Sequence, residues 1–228
     1  MPEITLYIYW GSPQCRAVLM TAKLLGLQPN VLEVDMMKNY HKHPEFKQIN
    51  PDQTLPALTD GKTRVSQSRE IMKYLCDGYG GSSYKGNKPS IYPKTKIRSL
   101  VTAYLEYDAK AVAPIVHKYA VDVSRNRLPD QEVENDVKDI LADLDGKLKG
   151  KKYVAGNHVS IADISLRFSI DMLLVLDYDL NPYEHVKAWT ESMTDVPFFR
   201  QIQHEFKEWM HRVETTPRSC CTCWDELD

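Results

Sequence analysis

Residues 4–27, ITLYIYWGSPQCRAVLMTAKLLGL, decide the fold. The stretch 3–10 alternates and is rich in Ile, Tyr, Leu and Trp, which predicts a buried strand. Ser12 is a natural helix N-cap, and Pro13 falls at the first helical position, where its missing N–H costs nothing. Val18, Leu19, Ala22 and Leu25 then recur at helical spacing, and Gly26 ends the helix with Pro29 beyond it. A strand, a tight turn and a helix with C-P-x-C at the turn would read as a thiol–disulfide oxidoreductase. Here Ser12 stands where the first cysteine of that pattern would be, so the turn lacks its attacking thiol.

Working outward, VLEVDM (31–36) predicts a second strand, which makes a β-α-β unit with parallel strands and a right-handed crossover. A polar connection and a short helical PEFKQIN follow, then two short strands around an Asp60-Gly61 turn. SREIMKYLCDGYG is the next helix, closed by Gly78 and Gly80. The order β-α-β-α-β-β-α predicts a thioredoxin-like α/β domain over residues 1–80. Residues 81–93 form a Gly/Ser/Pro-rich linker. Residues 94–212 show helical periodicity in segments near 95–118, 130–149, 161–177, 183–194 and 198–212, which predicts an all-helical second domain. Pro114 should kink or break the first of these helices. Ser160 followed by Asp163 predicts a capping box, with Val159 as its hydrophobic staple. Residues 213–228 are a cysteine-containing tail.

The chain has 228 residues, 43% of them hydrophobic and 26% charged, which suits an ordinary globular protein of one large or two small domains. A net charge of −2 provides no general basic field for nucleic acid or anionic lipid. The N-terminus has no basic region before its apolar run, and no apolar stretch approaches the roughly 20 residues needed to span a bilayer. The expectation is a cytoplasmic protein with neither nucleic-acid nor membrane partners. Five cysteines are too few for a secreted disulfide scaffold. Cys15 and Cys76 fall in apolar helical patterns and read as small buried residues. Cys220, Cys221 and Cys223 have poor zinc spacing, so no metal site is expected.

GSPQCRAVLMTAKLLGL, HPEFKQINPDQTLPALTDG, SQSREIMKYL and VSIADISL, in that order and spacing, resemble the cytosolic glutathione transferases, in detail the insect delta/epsilon group. Each stretch is weak alone; together they cover about residues 3–212. The resemblance implies a two-domain fold, glutathione as co-substrate, no metal and a homodimer. Ser12 would donate its hydroxyl to the glutathione sulfur. The chemistry suits that role. A free thiol has a pKa of about 8.5, and lowering it by about two units takes roughly 2.7 kcal/mol of selective anion stabilisation. A hydroxyl donor and a helix N-terminus together can provide it. The turn then borrows its thiol from glutathione. Alternatively, Ser12 simply caps the helix.

By the same resemblance the peptide groups of Leu55, before a cis Pro56, pair with the cysteinyl part of glutathione. Gln67 and Ser68 hold its γ-glutamyl end, where Ser68 and the first helix N–H groups suit a carboxylate. Family members of this group usually have Glu at Gln67 and His at Gln53, so two ligand contacts are softened. Gln53 still donates a hydrogen bond to the glycyl carboxylate. His41 matches another position near the glycyl end. Gln14 replaces a frequent proline and is expected to matter little. Arg69 matches an arginine that reaches the ligand or the partner subunit, and the residues leave that choice open. Asp108 matches a position near the base of the cleft, and Asp163 one with a role in folding.

The acceptor pocket is expected between the domains. Ala109, Ala113 and Val116 share a helix face, and Phe206, Trp209 and Met210 form apolar walls from the last helix. The same spacing equally suits plain core packing. Three readings follow. The first is a transferase joining glutathione to small hydrophobic electrophiles in detoxification, with reduction of organic peroxides a further activity the resemblance allows. The second is a low-activity carrier of apolar ligands on the same frame, which Gln53 and Gln67 favour. The third is a thiol transferase using Cys15, against which stands the absence of a second thiol at the turn.

Overall fold

The computed structural model describes residues 3–80, 83–84 and 88–215. The tail cysteines Cys220, Cys221 and Cys223 lie outside the described residues. The first strand, β1 (Ile4–Ile8), alternates in burial, with Ile4, Leu6 and Ile8 inward. It ends two residues before the apolar run does, because Tyr9 turns the chain: the Ser12 N–H donates to the Tyr9 carbonyl at 3.0 Å. Helix α1 (Pro13–Leu24) follows with Ser12 as N-cap and Pro13 in its first turn, and Gly26 beyond it takes the left-handed φ of +76°. Strand β2 (Asn30–Glu33) is shorter than the pattern suggested, because Asp35 caps a 3-10 turn instead of extending the strand. Helix α2 (Pro44–Ile49), strands β3 (Ala57–Asp60) and β4 (Thr63–Ser66), and helix α3 (Ser68–Tyr79) complete the unit.

The sheet order is β2-β1-β3-β4, with β2 parallel to β1 and both other neighbours antiparallel. Gly61, at φ +57°, starts the two-residue loop of the β3–β4 hairpin. α1 packs with α3 on one face of the sheet. On the other, Phe46 of α2 meets Tyr7 edge-on at 5.9 Å, beside Val34 and Ala57.

The connection after α3 contains a short ladder of Ser83–Tyr84 (β5) with Lys88–Pro89 (β6), which the linker composition did not suggest. Ile91 and Tyr92 are then buried, and the Ile91 carbonyl accepts the Ile161 N–H at 3.0 Å. The rest is helical: α4 (Ile97–Tyr107), α5 (Ala113–Ser124), α6 (Gln131–Leu148), α7 (Ile161–Val175), α8 (Glu184–Thr194) and α9 (Phe199–Thr215). α9 continues three residues beyond the expected end at 212.

Pro114 does not break its helix. Asp108–Val112 form one π turn, in which the Ala113 N–H bonds the Asp108 carbonyl five residues back. The wider turn arrives where Pro114 lacks a donor, so helix runs on to Ser124. The capping box of α7 forms as expected. The buried Asp163 accepts from the Ser160 N–H (2.9 Å), the Ser160 hydroxyl (2.7 Å), the Val154 N–H (2.8 Å) and the Trp189 indole (3.1 Å).

α1 lies between α3 and α7, so one helix belongs to both halves. At that junction Arg16, fully buried, donates to Asp171 at 2.9 Å. Arg167 donates to the other Asp171 oxygen at 2.9 Å, and the Gln203 amide reaches both at 2.7 Å. Gln203 in turn accepts from Arg16 at 3.2 Å, while the Arg16 guanidinium stacks 3.8 Å from the Phe206 ring centre. Two cations share one carboxylate. Breaking a buried pair by removing one partner costs about 3–5 kcal/mol, because it strands the other charge. Asp171→Asn should therefore lower stability by about that much. Arg16→Met, which leaves one cation per carboxylate, should cost less than half as much. Urea unfolding of the two variants checks this, and equal losses would contradict the charge accounting.

Candidate active site

The sheet register sets the site. Tyr7 pairs with Ala57, and Ala57 with Ser66, so the chain ends leaving β1, entering β3 and leaving β4 emerge side by side. Those ends carry Ser12, the Leu55-Pro56 peptide and Gln67-Ser68. The Leu55-Pro56 bond is cis. Among the described residues, the Leu55 N–H and carbonyl make no hydrogen bond. Unpaired peptide groups of this kind can take up a strand-like ligand.

Ser12 is half-buried, with φ −81° and ψ 118°. Its Oγ accepts the Cys15 N–H at 3.3 Å and donates to Oε1 of Gln14 at 3.1 Å. The hydroxyl thus sits at the positive end of the α1 dipole. Cys15, next along the helix, is fully buried, and its sulfur accepts the Tyr9 N–H at 3.4 Å. Burial pushes its thiol up to about 11.

Gln67 is exposed with φ +67° and ψ 120°, a strained conformation for a residue with a side chain. It caps α3, whose first residue, Ser68, is buried. Gln53 is also left-handed, φ +56°, at the tip of a loop held by Asn50. The Asn50 amide donates to the Thr54 carbonyl at 2.8 Å, and its oxygen accepts the Asp52 N–H at 3.2 Å. His41 is buried, and its Nδ1 has no partner among the described residues. Burial first, then Lys42, holds its imidazole below the usual histidine range, so it is neutral at pH 7 and offers a hydrogen bond rather than a charge.

Arg69 turns inward. It pairs with Asp108 of the π turn at 2.5 Å, and Ser165 of α7 donates to the same oxygen at 2.5 Å. The N-terminus of α3 is therefore tied to the helical half through the widened turn. Ser165 carried no signal in the sequence beyond its place two residues after Asp163.

Of the residues expected to wall the acceptor pocket, Trp209 lies against the turn itself. Its ring meets Tyr9 edge-on at 5.1 Å, and its Nε1 donates to Glu33 at 2.7 Å. A Cβ on Gly11 would stand 3.1 Å from Trp209 and 2.5 Å from the Tyr9 ring, so glycine is needed for that approach. Phe206 stacks on Trp209 with centres 6.1 Å apart and is capped by Arg16. Met210, Ala109 and Ala113 are half-buried, whereas Val116 is enclosed in the core at 1% exposure. Among these six, only Phe206 and Trp209 are in direct contact with the elements around the Ser12 turn through the interactions described. Glu33, Gln203 and Gln14 contribute to this region without having been singled out as site residues. Among the described residues, no group of three or more His, Cys, Asp or Glu could hold a metal ion.

Comparisons with known proteins agree with this geometry. The family models for the glutathione S-transferase N-terminal and C-terminal domains match residues 2–77 and 109–197. Glutathione S-transferase 2 of Anopheles gambiae is 33% identical over 192 residues, covering 83% of this chain and 90% of that protein. A delta-class glutathione transferase of Nilaparvata lugens superposes with a TM-score of 0.82 at 30% identity, covering 92% of this chain and 97% of the other. A glutathione transferase homologue of Drosophila mojavensis, solved with bound glutathione, gives 0.81 at 27% identity, covering 95% and 99%. With its Ser-bearing turn, cis-proline and helical second half, the chain belongs to the glutathione S-transferase family, among relatives of the insect delta and epsilon type.

Proposed function

We propose that this chain binds glutathione along the end of its sheet, ionises the thiol beside Ser12 and joins the sulfur to a small hydrophobic electrophile. Family membership supplies the activity, glutathione conjugation, and the co-substrate. The observation that carries the residue assignment is the Ser12 hydroxyl at the N-cap of α1, beside the open peptide groups of Leu55.

In this reading the Leu55 peptide groups align the cysteinyl unit. The γ-glutamyl carboxylate meets Ser68 and the N-terminus of α3, and Gln67 accepts from the ammonium group. Gln53 and the neutral His41 hydrogen-bond the glycyl carboxylate without adding charge. Arg69 acts from behind, by fixing α3 against Asp108. The thiol proton leaves to solvent, and the Ser12 O–H and the helix dipole hold the resulting anion. The sulfur lone pair then forms the S–C bond, either expelling a leaving group with its electron pair or adding to an activated double bond. Trp209 and Phe206, with Met210, Ala109 and Ala113, would wall the acceptor pocket.

Detoxification, a cytoplasmic location and a homodimer belong to the same proposal. No described helix is long and apolar enough to cross a membrane. The outer face of α4 exposes Ile97 and Leu100 beside an open groove of about 540 Å³ lined by Thr95, Arg98, Ser99, Thr102, Ala103 and Glu106, which suits docking of a second copy. The thiol-transferase reading fails on Cys15, which is enclosed and protonated at neutral pH.

Two outcomes are expected. Ser12→Ala should cut kcat/KM for conjugation of glutathione to an activated aryl halide by about 10²-fold, as for loss of one oxyanion-type donor. Rates within twofold of wild type would return Ser12 to a simple cap. Iodoacetamide at pH 7.5, read by peptide mapping of the native protein, should leave Cys15 and Cys76 unmodified, since burial pushes the Cys76 thiol up to about 12 as well. Both should react once urea unfolds the chain. Labelling of native Cys15 would contradict the enclosed thiol.

A further inference from the structure

We infer that Gln14 competes with glutathione for the single proton of the Ser12 hydroxyl and so limits how far the bound thiol is acidified. The inference rests on the reading of Ser12 given above and adds a residue to it. A serine hydroxyl has one hydrogen to donate and lone pairs to accept with. In this structure both functions are engaged locally: Oγ accepts the Cys15 N–H at 3.3 Å, and its hydrogen goes to Gln14 Oε1 at 3.1 Å. With the proton on Gln14, the face of Oγ left for a ligand carries lone pairs, which repel a thiolate.

The geometry that makes this contact is short and fixed. Ser12 is the N-cap, and Pro13, at the first helical position, has its own φ fixed by its ring. Gln14 therefore stands in the first turn, two residues on, with its carboxamide beside the hydroxyl. Among the described residues that carboxamide makes no other hydrogen bond, and the side chain is half-buried. The neighbouring Cys15 sulfur is enclosed and takes the Tyr9 N–H at 3.4 Å, while Gln14 Oε1 stands at hydrogen-bonding distance from the hydroxyl.

Binding of glutathione must then exchange one acceptor for another. The hydroxyl leaves a neutral amide oxygen for an anionic sulfur, and the freed Gln14 oxygen turns to water. A neutral hydrogen bond is worth up to about tenfold in an equilibrium constant, so the competing contact holds the bound thiol up to about one pKa unit above what Ser12 would otherwise achieve. Gln14 is a positioning residue in this account. It touches the hydroxyl and not the substrate.

The test is the pH profile of kcat/KM for the aryl halide at saturating glutathione, which reads the thiol of the enzyme–glutathione complex, in wild type, Gln14→Ala, Gln14→Glu, Ser12→Ala and the Ser12→Ala/Gln14→Ala pair. Alanine is a good helix former at this half-buried site, so folding is not at stake. Gln14→Ala should move the acid limb down by up to about one unit and raise kcat/KM at pH 6 several-fold. Gln14→Glu should move it the other way, because a carboxylate is the stronger acceptor and repels the thiolate. In the Ser12→Ala background the Gln14→Ala change should vanish. A Gln14→Ala profile that overlays wild type, or a shift that persists without the Ser12 hydroxyl, overturns the inference while leaving Ser12 in place. A wild-type limb at the pKa of free glutathione overturns both.

Discussion

The buried contact of Arg16 with Asp171 joins the two halves of the molecule, and the site depends on it. Arg16 sits one turn into α1, and its own N–H bonds the Ser12 carbonyl at 3.3 Å. The residue that anchors α1 to the helical half is therefore also part of the backbone that holds Ser12 at the cap. Taking a guanidinium fully out of water is expensive, and the cost is met only if its charge and donors are matched. Asp171 and Gln203 take its Nη1 and the face of Phe206 covers its plane, from two different helices, α7 and α9, while Nε has no partner among the described residues. Once α1 is held there, the turn before it has little freedom. Trp209, one helical turn beyond Phe206, then closes the side of that turn against Tyr9 and Gly11.

The grouping of Ser12, Pro56 and Gln67 at one end of the sheet follows from register rather than from any single motif. Antiparallel pairing of β1 with β3 and of β3 with β4 brings three separate loops to one end, each with its own backbone feature. These are a capped helix start at Ser12, a cis peptide at Pro56, and a positive φ at Gln67. The strain at Gln67 is held by a rigid surround: β4 before it, α3 after it, and the Arg69–Asp108–Ser165 contact behind. The π turn that places Asp108 within reach of Arg69 is the same turn that accommodates Pro114. One local irregularity serves both purposes.

Much of this was legible in the chain. Apolar alternation, Ser12-Pro13 and Gly26 specify β1, the turn and α1 through local chemistry that tertiary contacts only reinforce. The capping box at Ser160 and Asp163 is equally local. What could not be read depends on distance or on competition between rules. Arg16 and Asp171 are 155 positions apart, and a charge inside an apolar helical pattern does not announce its partner. Pro114 reads locally as a break, and only the packed helix shows that a π turn is the cheaper answer. Val116 and Ala113 share a periodic face, yet only one of them is enclosed, because periodicity gives direction and not depth. Gln14 looked inconsequential as a substitution for proline, since the sequence does not show that its carboxamide folds back onto the serine hydroxyl.

The central claim is that the cap of α1 turns a borrowed thiol into a thiolate. Ultraviolet absorbance of the thiolate, titrated with glutathione bound to the wild-type protein, reads that directly. The account predicts half-ionisation well below the value of about 8.5 for a free thiol, by roughly two units. Ionisation at the same pH as free glutathione would show that the turn binds the tripeptide without activating it, and would contradict the account.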